Sequence, residues 1–127
     1  MDRDTLVARW LDLTRRQLPA LAASQRWPIR LDHCFMRACL DAAYARPWHE
    51  AIPRPAIRHA ATEDLARAIA IAEGVLAAPA TLPALNAASL RMRAVSATRA
   101  AAGAAAPRPA GPARSGTGPA RAGRGRG

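Results

Sequence analysis

His33, Cys34, Cys39 and His49 all fall between Leu31 and Glu50, with the only phenylalanine, the only tyrosine and one of the three tryptophans. Thiols, imidazoles and carboxylates so close in sequence could serve thiolate chemistry, metal ligation or recognition in a polar pocket with an aromatic wall. At about 100° per residue, Phe35, Met36, Cys39, Leu40 and Ala43 share one side of a helix, and His33, Cys34, Arg37 and Asp41 share the other, with Tyr44 at the border. Cys34 would sit in a first helical turn, where unpaired amides and the helix dipole favour a thiolate. No residue is placed to act as its base, and Asp32 adds a nearby negative charge, so an ordinary, partly buried thiol is the preferred reading. The two cysteines are five apart, about 8 Å and about 140° around an intact helix, which is out of range for a disulfide.

His33, Cys34, Cys39, His49 and His59 follow neither the CxxC nor the HExxH spacing that marks a zinc site, and no metal is expected. Arg37 and Asp41, four apart, read as a solvated ion pair worth roughly a few tenths of a kcal/mol. The sharper reading joins the polar side of this helix to the proline-rich stretch after it. His33, Cys34, Arg37, Asp41, Trp48, His49, Arg58 and His59 then form a candidate pocket.

The elements that must position these residues are all helical. Asp4 is expected to cap a first helix carrying Leu6, Val7, Trp10, Leu11, Leu18 and Leu21, which Pro19 kinks near Gln17 or splits into two abutting helices. Trp27-Pro28 demands an extended connection, and Asp32 then caps a second helix to about Tyr44. Prolines 47, 53 and 55 predict a loop to Ala61 with at most one turn, around Trp48 to Ile52. Thr62, followed by Glu63 and Asp64, opens a third helix with Leu65, Ile69, Ala72 and Leu76 on one face, ending before Pro79. Thr81 begins a fourth, with Leu82, Leu85, Ser89 and Met92 along one side. No segment alternates like a strand. The expected fold is all-α: a small orthogonal bundle of four to five short helices over residues 1–96, with a disordered basic C-terminal tail over 97–127.

Charge supports that division. All 19 basic residues are arginine, a bias that a GC-rich coding sequence explains without function; 13 precede Ala97, with every one of the nine acids, and six follow it with none. Beyond Val95 no large apolar side chain occurs, so the tail cannot bury enough surface to order itself. Arg108, Arg114, Arg121, Arg124 and Arg126 could bind nucleic acid weakly and without sequence choice, although no aromatic residue accompanies them to stack on bases. The acidic opening Met1-Asp2-Arg3-Asp4 does not resemble a secretory signal and no apolar run could span a bilayer, so a cytoplasmic location with no membrane contact is expected.

The stretch "LTRRQLPALAASQRWPIRLDHCFMRACLDAAYARPWHEAIPRPAIRHA" resembles a group of short proteobacterial proteins that share a leucine-proline helix, a Trp-Pro turn, Asp-His-Cys-Phe, then Arg, Leu-Asp, Trp, Ile and Pro-Ala. "LPALNAASLRMR" is similar to their closing helix, so the likeness runs from about Asp4 to Arg93. Members are often labelled GNAT-superfamily N-acetyltransferases, which implies acetyl-CoA as cofactor and acyl transfer, with His33 and Cys34 the one available chemical pair. That fold needs a mixed sheet and a glycine-rich turn to hold the coenzyme's pyrophosphate, yet Gly74 is the sole glycine before Gly103. Where the group carries Asn and Gly after Leu-Asp, Ala42, Ala43 and Tyr44 stand here. The leading expectation is a non-enzymatic binding or adaptor module for a protein partner; an acetyltransferase-like protein and nucleic-acid association through the tail are the alternatives.

Overall fold

A computed structural model of the chain describes residues 2–105 and contains no strand among them. The chain divides into a unit of residues 1–96 and a second of 97–127.

In the first unit, helix α1 (Arg3–Asp12) is capped by Asp2, whose Oδ1 accepts from the Thr5 amide at 3.0 Å; hydrogen bonding from the Thr5 side chain, and then from its amide, holds the Asp2 carboxyl below its usual range. Asp4, expected to cap, lies instead in the first turn. A π-helical turn follows over Leu13–Gln17, and α2 (Leu18–Ala22) continues the same helical run. Pro19 explains the widening: it has no amide hydrogen and its ring would meet the Arg15 carbonyl, so the regular ladder cannot pass through it. The Leu18 amide reaches back five residues to the Leu13 oxygen. The predicted break near Gln17 is thus absorbed within one helical run, which keeps Leu6, Trp10, Leu13, Leu18 and Ala22 buried together.

Trp27 and Ile29 bury within an extended connection; the Trp27 indole N–H donates to the Pro79 carbonyl at 3.0 Å, and its ring meets Phe35 edge-on at 5.7 Å. Helix α3 (Asp32–Tyr44) has Leu31 at its cap position, so Asp32 is not the cap but the first helical residue. It ends at Ala45, which takes a left-handed φ of 56°. Two one-turn helices follow, α4 (Trp48–Ala51) and α5 (Ala56–His59), where a single turn is expected; the Arg54–Pro55 peptide between them is cis.

Helix α6 (Thr62–Ala77) packs on α3 and α1 through Leu65, Ala68, Ile69, Ala72 and Val75. Thr62 does not cap it; its Oγ1 accepts from Arg3. A 3₁₀ turn, Pro79–Thr81, leads into α7 (Leu82–Ala105), which therefore runs helically past Ser96, through residues expected to lack order. In the second unit the helical residues 97–103 are exposed, and residues 106–127 of the expected tail lie outside the described residues. No single described helix is long and apolar enough to cross a membrane.

Candidate functional site

Helix α3 presents His33, Met36, Arg37 and Leu40 at three- and four-residue spacing, so they form one stripe along its side. That stripe is one wall of a cleft of about 320 Å³. Its floor is Trp10 from α1, almost wholly buried, with Leu40 beside it; the opposite wall comes from Trp48 at the start of α4 and from Arg54, Pro55, Ala56 and Ile57. Arg15 reaches the rim from the π turn, a local widening often found at functional sites. The Arg54 guanidinium lies over the Trp48 ring, 5.5 Å from its centroid. No aspartate or glutamate lines the cleft, while Arg15, Arg37 and Arg54 all do.

Of the eight residues expected to make a pocket, His33, Arg37 and Trp48 meet here. His49 does not line the cleft; its ring stands edge-on to Trp48, with centroids 6.2 Å apart. Arg58 and His59 are exposed at the end of α5 and do not line the cleft. Cys34 is half-buried against the core, also outside the lining, and Cys39 lies fully within the core, where burial pushes its thiol up to about 12. Among the described residues no group of three or more His, Cys, Asp or Glu is placed to hold a metal.

Asp41 corrects the wheel more sharply, for it is completely buried rather than solvated. Its Oδ2 accepts from the Arg93 Nε at 2.8 Å and from the Ser89 hydroxyl at 2.6 Å; its Oδ1 accepts from Arg93 Nη2 at 3.1 Å and from the Trp48 backbone amide at 2.9 Å. The expected Arg37–Asp41 ion pair is absent. Arg37 instead donates to Asn86 Oδ1 and Ser89 Oγ of α7, both at 2.7 Å. The outward half of α3 faces a second helix, and a chain of charge-assisted hydrogen bonds fills the interface. One carboxylate therefore fixes the start of α4, and with it Trp48, against α7.

The cleft residues missed in the sequence are Trp10, Arg15, Met36, Leu40, Arg54, Pro55, Ala56 and Ile57, and for the two on α3 the cause is plain. The cleft straddles the border between the apolar and polar halves of α3, and a wheel divided into halves separates Met36 and Leu40 from His33 and Arg37. The threefold and fourfold spacing of those four residues was the available signal. Arg54 carried another, since an arginine fixed between Pro53 and Pro55 has little backbone freedom to lose.

No family model matches the chain, and no curated protein or solved structure is similar to it.

Proposed function

We propose that this protein is a small helical binding module, without catalytic chemistry of its own, whose recognition site is the cleft between α3 and the proline-framed segment carrying Trp48. The observation that carries this reading is the lining itself: apolar floor, aromatic wall and arginine rim enclose a volume at the small end of ligand pockets. The residues needed for covalent work are not gathered there. Cys34 stays outside, and His33 in the lining has the Asp32 carboxylate 3.7 Å from its Nδ1 but no nucleophile to activate.

A fragment screen read by amide NMR shifts tests the reading. Hits should gather on residues 10, 33–40 and 48–57. Fragments that scatter over the surface, or gather elsewhere, would refute it. Stoichiometric calorimetric binding of acetyl-CoA would favour acyl transfer instead.

A further inference from the structure

We propose that the cleft takes an apolar monocarboxylate, a hydrocarbon body ending in one carboxylate group. This rests on the binding-module reading and adds the chemical class of the ligand. The floor and walls, Trp10, Met36, Leu40, Trp48 and Ile57, call for a hydrocarbon body, because covering such surface is favourable by about 25 cal/mol per Å² and the lining offers little else deep inside.

The sign of the charge follows from how the rim arginines are matched. Arg15 already has Asp32 at 3.7 Å. Arg37 has committed both Nη groups to the neutral oxygens of Asn86 and Ser89, and the carboxylate beyond them, Asp41, is itself held by Arg93 through both oxygens. Arg37 thus has no carboxylate in direct contact, which leaves its positive charge at the inner wall. Arg54 makes no ion pair among the described residues and rests on the Trp48 ring, with its whole donor fork free.

One free fork suits one carboxylate, whose two oxygens it meets in parallel. A phosphate would need further donors. The amide of Trp48, on whose ring that fork rests, is already taken by Asp41. The arginine stacked on the cleft wall therefore matches a single carboxylate, and the charge of Arg37 on the facing wall favours the same sign.

Calorimetry and tryptophan fluorescence on the full chain, with decanoate, decanol and decyl phosphate as probes, test this. Decanoate should bind one to one and decanol about tenfold more weakly, the ratio for one charge-assisted contact at a wet rim. Arg54→Gln should abolish that gap by weakening decanoate far more than decanol; Arg54 is exposed, so the variant folds, and residual decanol binding reports an intact cleft. Decanol binding as tightly as decanoate, R54Q preserving the gap, or decyl phosphate binding more tightly than decanoate would each overturn the carboxylate assignment and leave the binding module standing. If none of the three binds while fragments still gather on the cleft, the assignment falls alone. If the fragments scatter as well, both readings fall.

Discussion

Asp41 is the side chain on which most of the interior polar order depends. Removing one partner of a buried, hydrogen-bonded charge pair costs about 3–5 kcal/mol, because the other charge is left uncompensated. Asp41→Ala should accordingly lower the urea unfolding free energy by about 3 kcal/mol, somewhat less than the upper figure because Arg93 keeps part of its side chain in water. That aspartate was legible as polar but not as buried, since a helical wheel cannot distinguish water from a second helix. The recurrence of Asn86, Ser89 and Arg93 along α7, three and four apart, was the matching half of the signal. Cys39 makes a separate prediction. Its thiol stays protonated in the folded core up to about pH 12, whereas in the unfolded chain it ionises from about pH 8.5. A raised folded value means full stability below pH 8.5 and progressive loss above it, about 1.4 kcal/mol per pH unit. Urea titrations between pH 8.5 and 10 should show the loss steepening towards that slope, and Cys39→Ala should flatten it. Iodoacetamide should modify Cys34 in the folded protein and reach Cys39 only on unfolding.

Among the helices, Ala45 and Gly74 each hold the residue that would suit the other. Ala45 ends α3 with a left-handed φ of 56°, closing a turn in which the Arg46 amide donates to the Asp41 carbonyl at 3.2 Å. A Cβ is strained there, and glycine is the usual residue. Gly74 sits inside α6, where an added Cβ would meet nothing within 4 Å. Ala45→Gly and Gly74→Ala should each stabilise the protein by about 0.5–1 kcal/mol, read as a rise in thermal midpoint of about 4 °C apiece. Helix existence was readable from periodicity because apolar residues recur on one face, but caps and short turns were not. Asp2 competes with Asp4, and Leu31 rather than Asp32 takes the cap position, because several neighbouring residues satisfy the same local rule. The turn at α5 spans only four residues between Pro55 and Ala60, too few to show a period. Pro19 announced a disturbance, but the burial of Leu13 and Leu18 before it and of Ala22 after it keeps the run in one widened helix rather than a break.

Over the molecule as a whole, acids and arginines are interspersed up to Ser96, and arginine alone carries charge beyond it. Residues 1–96 hold the buried cluster from Leu6 to Leu82 and the complete cleft lining. A chain ending at Ser96 should keep its urea midpoint and its cleft ligands; loss of either would show that residues 97–127 take part in the fold. The cleft was only partly legible because four separate stretches of chain build it, and sequence proximity pointed to the segment after α3 while Trp10 and Arg15 arrive from a helix far upstream. The knot around Asp41 also bears on descent. Position 41 lies among Ser89, Arg93 and the start of α4, so an ancestor could not have exchanged the aspartate for a hydrocarbon alone without stranding a guanidinium. Lineages that lost it are expected to have replaced positions 89 and 93 in the same evolutionary step, and aligned descendants would display those three columns changing together.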